Sequence, residues 1–130
     1  IRRIFIEIIR EAVAVADKMQ IKIEVFAGKL DFHKFLNGNS LFADFRRHLF
    51  LIILGFKYRK LKSSSLQSLE RGKLTEIDYL NGYIVKNGKR SGIPVPVNTA
   101  VVDIIHDIEQ KKRGIAYNNF DNLVFERFNN

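Results

Sequence analysis

The sequence predicts an all-α fold, a helical bundle, and three observations support this prediction. Apolar residues recur at intervals of three and four along several segments, which is the period of one face of an α-helix. Only residues 21–25 alternate apolar and charged residues as a strand does. Glycine, proline and small polar residues separate the helical segments. At 130 residues, the chain is expected to form a single helical domain, residues 1–130.

The first predicted helix covers residues 1–19. Its apolar residues form one face, and Glu7 and Glu11 are predicted to lie on the opposite side. Residues 21–25 are interpreted as an extended connector. Asp31 is the candidate N-cap of a short helix that follows and ends at Leu36.

A long helix is predicted from Leu41 to about Lys60, after a turn at residues 37–40. Its second half is apolar nearly all round, which favours a helix that is buried on most sides. The apolar block, residues 49–56, is far shorter than the roughly 20 residues that span a membrane, so no membrane association is expected. The basic run at residues 57–62 is interpreted as offsetting the helix dipole. An electropositive rim for an anionic ligand is the alternative.

A cluster of three serines, residues 63–65, precedes a short predicted helix. Ser64 or Ser65 is predicted to cap the turn over residues 66–71. Hydroxyl groups beside the free N–H groups of a helix start also suit an anion such as a carboxylate. The cluster is therefore both a candidate cap and a candidate binding site.

The next segment has the form of a capping box, because Thr75 stands three residues before Asp78. The box predicts a helix from Thr75 to about Arg90. Asn81 and Gly82 lie inside that helix, where glycine costs about 1 kcal/mol relative to alanine. We therefore expect another helix to approach closely at this point.

The last helix is predicted to follow an extended segment that contains Pro94 and Pro96. Asn98 is its candidate N-cap and Gly114 its end. The tail beyond is rich in Asn and Phe.

Composition and charge exclude several kinds of site. The chain has no Cys, which excludes disulfides and thiolate metal sites and suits a reducing cytoplasm. His33, His48 and His106 do not have a metal-binding spacing, so no metal is expected. The net charge of +8 is scattered along the chain, so no nucleic acid is expected as a partner. No secretory signal is visible, and we expect a cytoplasmic protein.

Glu76 is the candidate catalytic residue, and it has two interpretations. An acid in the first turn of a helix is stabilised by the dipole by about 0.3–1 kcal/mol, which needs no further function. Alternatively, its carboxylate points into a cleft and tunes a proton transfer.

The segment around Glu76 resembles a known family. Residues 63–82 contain Ser-Ser-x-Leu-Gln, Arg-Gly, Thr-Glu-Ile-Asp and Asn-Gly in this order, and Gly-Ile-Pro-Val-Pro-Val-Asn follows at residues 92–98. This series is similar to the C-terminal domain of the ketopantoate reductases (2-dehydropantoate 2-reductases). The resemblance implies a helical bundle of the kind found in these enzymes and in 6-phosphogluconate-dehydrogenase-like proteins.

The resemblance also implies roles for two residues. In the family, the Glu of Thr-Glu-Ile-Asp lies at the active site, close to the cofactor and the catalytic Lys, and it falls on Glu76. Glu76 is thereby implied as both catalytic and cofactor-binding. The Ser twelve residues earlier binds the substrate and falls on Ser64. The chain departs from the family at Ser65, where Met is usual, and at Ser68, where Asp is usual. Both departures bear on the identity of the substrate.

The parent enzyme that the resemblance implies is an NADPH-dependent reductase of pantothenate biosynthesis, which reduces the 2-keto acid 2-dehydropantoate with a Lys as proton donor. In the family, a glycine-rich fingerprint on an N-terminal Rossmann domain binds NADP. This chain has no Gly-x-Gly and begins without Met. We therefore expect a fragment that lacks the cofactor domain and the Lys-bearing first helix. Alone, it is expected to bind no NADP and to be inactive.

A different class of function stays open. The chain could be a helical dimerisation or protein-interaction module without a catalytic role, because an amphipathic helix that lacks its neighbour leaves an apolar patch open. Under this alternative, a homodimer is expected.

Overall fold

The computed structural model describes residues 2–25, 28, 30–38, 40–58, 63–121 and 123, with only the backbone described at 54–58. It confirms the all-α prediction, because the described residues form six α-helices, one short 3₁₀-helix and no strand. The helices are α1 (Arg2–Lys18), α2 (Phe32–Leu36), α3 (Leu41–Tyr58), α4 (Ser64–Glu70), α5 (Asn81–Ser91) and α6 (Pro96–Glu109), and the 3₁₀-helix covers Tyr117–Phe120.

The core lies where α1, α5 and α6 pack against one another. Gly88 of α5 permits the closest approach, since a Cβ at this position would lie 2.9 Å from both Val95 Cγ2 and the Ile93 carbonyl oxygen. The close approach of another helix predicted at Gly82 is wrong, and the close approach at Gly88 is to the extended segment before α6. At Gly82, the nearest atom to such a Cβ is 3.4 Å away, in the side chain of Asp78. The buried apolar core residues are Ile6, Val13, Val15, Ala43, Ile77, Val95, Val97, Val101 and Ile104.

A buried carboxylate joins α1 to the start of α6. The prediction that Glu11 lies on the solvent side of α1 is wrong, because the residue is only 8% exposed. Its oxygens accept the N–H groups of Val97 (2.8 Å) and Asn98 (2.9 Å) and the Asn98 amide (2.6 Å). Asn81, the first residue of α5, donates to Asn98 Oδ1 at 2.8 Å. Glu11 thus caps α6 from another helix, and the predicted N-cap role of Asn98 is wrong.

Helix α3 forms as predicted, but its predicted burial is wrong over residues 41–53. Several large apolar side chains of this stretch reach solvent, and Leu41 is 90% exposed. We call the exposed stripe formed by Leu41, Phe42, Phe45, Leu49 and Ile53 the α3 face. The side chains of the basic run, residues 57–62, lie outside the described part of the chain. No described helix combines the length and the apolar character that a membrane span requires.

A buried arginine holds α2 against α3. The Arg47 side chain is 2% exposed, and its guanidinium donates to the carbonyl groups of residues 35–38 and to Asp44. These carbonyls lie at the end of α2, where a helix has unpaired acceptors. The predicted cap of α2 is confirmed, because Asp31 Oδ1 accepts the Lys34 N–H at 3.1 Å. This hydrogen bond lowers the pKa of the Asp31 carboxyl below its ordinary value.

Helix α6 ends at Glu109 rather than at Gly114. The Lys111 backbone adopts the left-handed conformation, with φ of 59°. The Lys112 N–H then donates to the Asp107 carbonyl at 2.8 Å and closes a Schellman turn. The chain therefore leaves the helix before the glycine is reached.

Candidate functional site

Ser64 is the first residue of α4, and its hydroxyl is not used to cap that helix. The N-cap is Ser63, whose Oγ accepts the Leu66 N–H at 3.1 Å. The prediction that Ser64 or Ser65 caps this helix is therefore wrong. Ser64 is exposed, and its hydroxyl makes no hydrogen bond within the described ranges. It is available to a ligand.

The predicted capping box does not form, because residues 76–80 are bends and turns and α5 begins only at Asn81. Thr75 Oγ1 accepts the Ile77 N–H at 3.2 Å, two residues along the chain rather than three. The Tyr79 and Leu80 N–H groups donate to the Glu76 carbonyl at 3.1 and 3.2 Å. Contacts with α6 explain this geometry, because its side chains bond to Thr75 and Asp78, the two residues that a capping box would use.

Two side chains of α6 hold this turn in place. Glu109 Oε1 accepts both the Thr75 N–H (2.7 Å) and the Thr75 hydroxyl (2.8 Å). Asp78 was predicted to cap the helix, but it contacts α6 instead. Its Oδ1 atom is 2.9 Å from His106 Nε2. His106 and Glu109 share one face of α6 because they are three residues apart. Between the two contacts, Ile77 is buried. We call residues 75–78 together with His106 and Glu109 the clasp.

Glu76 lies in the middle of the clasp and is exposed. Thr75 before it is half-buried, and Ile77 after it is buried. In the part of the chain that the structure describes, the Glu76 carboxylate has no hydrogen bond or ion pair, and no bond joins it to Ser64. The clasp therefore presents a carboxylate on a fixed backbone, ready to accept a hydrogen bond from a group outside it.

A cleft of about 400 Å³ opens beside the clasp, between the end of α4 and the end of α6. We call it the α4–α6 cleft. Neither Ser64 nor Glu76 lines it. Sequence reasoning did not find this cleft, since its walls come from separate segments, residues 69–73 and 108–115. Among the described residues, no three His, Cys, Asp or Glu side chains gather in a group that could hold a metal ion.

Comparison with known proteins extends these observations. Residues 1–109 match the family model described as "Ketopantoate reductase PanE/ApbA C terminal". The chain is similar to the 2-dehydropantoate 2-reductases of Archaeoglobus fulgidus (46% identity over 48 residues) and Vibrio cholerae (42% over 48 residues). It is also similar to that of Shigella flexneri, with 40% identity over 54 residues. No solved structure gives a significant match.

These alignments are partial. They cover 37% of this chain for the first two relatives and 42% for the third. They cover only 16% of the length of the first two relatives and 18% of the third. The matched segments are thus a small part of much longer proteins.

Proposed function

This chain belongs to the ketopantoate reductase family, and from that premise we propose that it forms one wall of the active site of an NADPH-dependent 2-dehydropantoate 2-reductase. The observation that carries the proposal is Glu76, an exposed carboxylate without a partner in the described part of the chain, on a turn held by α6. NADPH, when bound, supplies a hydride to the 2-keto carbon. The 130 residues supply groups that orient the substrate and support the transfer of a proton.

Glu76 is proposed to act in catalysis and to contact the cofactor. A carboxylate accepts hydrogen bonds from hydroxyl, amide or ammonium groups, all of which are present on a nicotinamide cofactor or a lysine. The proposed proton donor is a Lys outside these residues, and Glu76 orients it and stabilises its charged form. Since the chain has no glycine-rich phosphate loop, Glu76 alone is not expected to hold NADP.

Ser64 is proposed to bind the 2-keto acid substrate. Its hydroxyl is exposed, and capping of α4 is already performed by Ser63. A hydroxyl fixed on the first turn of a helix can donate to a carboxylate or a keto oxygen. Ser65 and Ser68, where the chain departs from the family, are half-buried in the same helix. They are proposed to change the shape of the substrate pocket.

The experiment is a graft. Residues 1–109 replace the corresponding segment of the Archaeoglobus fulgidus relative, and oxidation of NADPH is followed with 2-dehydropantoate. Turnover is expected from the graft and not from the isolated 130-residue chain. A folded graft without turnover, or an isolated chain that turns over, contradicts the proposal.

Ser64→Ala in the graft is expected to raise KM for 2-dehydropantoate about tenfold, because a hydrogen bond to a charged group contributes about 1.5 kcal/mol. The value of kcat should change much less. Steady-state kinetics measures both parameters. Ser91→Ala removes a hydroxyl that donates to the Asn87 carbonyl within α5 and is the matched control. If the two variants have the same KM, Ser64 does not bind the substrate.

A second candidate function is a homodimerisation module, and the α3 face favours it. Leu41, Phe42, Phe45 and Ile53 are 90, 76, 64 and 60% exposed. Together these side chains form an exposed apolar patch of the kind that marks protein–protein contacts. The charged neighbour Arg46 is held within the chain, since it donates to the Lys34 carbonyl at 3.1 Å.

Phe45→Asp is expected to convert a dimer of the 130-residue chain to a monomer, because it places a charge at the centre of the α3 face. Sedimentation velocity over a range of concentrations measures the change. Tyr117→Asp is the control, as Tyr117 is 81% exposed and lies outside α3. A wild-type chain that stays monomeric at high concentration, or a Phe45→Asp dimer, rules out this module.

A further inference from the structure

We propose that the α4–α6 cleft binds a small organic phosphate, a phosphate group attached to an apolar body. Four cationic side chains line the cleft, and they come from two separate parts of the chain. Lys73 follows α4, and the other three follow α6. The cationic residues are Lys73, Lys111, Lys112 and Arg113.

The cations of the cleft outnumber the acids that could neutralise them. Two carboxylates line it, Glu70 and Glu109. The Glu109 carboxylate accepts both donors of Thr75, which are neutral groups and leave its negative charge in place. Arg113 pairs with Asp107 at 3.4 Å. Lys73, Lys111 and Lys112 have no ion-pair or hydrogen-bond partner for their side chains within the described ranges. The cleft therefore has a surplus of positive charge.

The helix dipole favours a cation on each side of the cleft. Lys112 and Lys73 hold the same position after α6 and α4, because their N–H groups donate to the Asp107 and Ser68 carbonyls at 2.8 and 2.9 Å. The cleft therefore lies between two helix ends that each carry lysine, and an anion placed between them would be attracted from both sides. Ammonium groups are common ligands of phosphate in proteins.

The shape of the cleft indicates an organic rather than an inorganic anion. Its volume of about 400 Å³ lies within the range of small-molecule sites. This volume is far larger than a phosphate ion requires. Leu69, Ile108 and Ile115 contribute apolar surface to its walls. An apolar group attached to the phosphate is expected to contact these side chains and add to the affinity.

This cleft shares Glu109 with the clasp, but it contains neither proposed reductase residue. Neither Glu76 nor Ser64 lines the cleft. Binding to it requires neither a cofactor domain nor turnover, and can be measured on the 130-residue chain itself.

The test is a titration of the ¹⁵N-labelled chain with phenyl phosphate and, separately, with inorganic phosphate, at constant ionic strength. Saturable shifts of the amides of Gly72, Lys73 and Gly114 are expected, with tighter binding of phenyl phosphate. The variant Lys73→Gln/Lys111→Gly should raise the Kd for phenyl phosphate about tenfold, since each exposed charge pair contributes up to about fivefold. Glycine suits the left-handed backbone at position 111, so this variant keeps the fold.

The control variant is Lys86→Gln/Lys89→Gln, which removes the same charge from exposed positions of α5. It should leave the Kd within about twofold of the wild type. An equal rise in Kd for both variants would show a general charge effect and overturn the proposal. So would shifts that do not saturate, or shifts that occur away from the cleft.

Discussion

Glu11→Ala is expected to lower the free energy of unfolding by about 3–5 kcal/mol. The Glu11 carboxylate accepts three hydrogen bonds of 2.6–2.9 Å from Val97 and Asn98. Alanine would leave two N–H groups of the α6 terminus buried without an acceptor, and each such group costs about 1–3 kcal/mol. It would also remove the charge that offsets the α6 dipole.

Urea denaturation followed by circular dichroism measures this loss. Glu7→Ala is the matched control, since Glu7 lies one turn earlier on α1 and pairs with Arg10 at 3.2 Å. A local pair of this kind contributes at most about 1 kcal/mol. The loss of unfolding free energy in Glu11→Gln should lie between those of Glu11→Ala and Glu7→Ala. The amide oxygen of Gln still accepts a hydrogen bond, but its NH₂ group faces N–H donors. If Glu11→Ala costs no more than Glu7→Ala, the buried network does not hold α1 to α6.

The helices were predictable because their apolar period is local information. Every predicted helix is present, and the Asp31 cap of α2 is confirmed. The start of α5 was wrong because tertiary contacts replaced a local rule: Glu109 engages Thr75 before it can cap a helix. Glu11 likewise replaces Asn98 at the start of α6. Thr75 and Asn98 are ordinary N-cap residues, and nothing in their own segments reveals the distant acid.

The burial of Glu11 had a signal in the sequence that was not used. Glu11 is three residues after Ile8 and four before Val15, so it occupies the apolar face of α1 rather than the opposite one. The exposure of the α3 face had no such signal. Periodicity identifies an apolar stripe such as Phe42, Phe45 and Leu49, but the stripe alone does not say which neighbour covers it.

The candidate site residues were predicted from a motif, whereas the contacts that surround them are known only from the structure. Glu76 and Ser64 were assigned by resemblance. The residues that hold the Glu76 turn were not foreseen, because His106 and Glu109 lie 28 and 34 positions from their partners. Asp78 was assigned a local role since pattern reasoning weighs only close neighbours. The contact with α6 makes it part of the clasp instead.

Glu76→Gln in the grafted enzyme is expected to lower kcat about 100-fold with little change in KM. Removal of a group that supports proton transfer typically costs a factor of 10² or more. Glutamine keeps the size of the side chain but cannot stabilise a charged lysine. Single-turnover kinetics under saturating NADPH measures the effect on the chemical step. Glu24→Gln is the control, because it makes the same change at an exposed acid that follows α1 and is not part of the clasp.

A variant of the clasp separates the charge of Glu76 from its position. Thr75→Val removes the hydroxyl that donates to Glu109 and accepts from Ile77, but leaves the Glu76 carboxylate intact. If the clasp positions Glu76, kcat should fall by about tenfold, and Thr75→Ser should restore it. Unchanged kcat with a lower midpoint of thermal unfolding would limit the clasp to stability. Unchanged kcat in Glu76→Gln itself would remove Glu76 from the catalytic site, whatever the behaviour of Thr75.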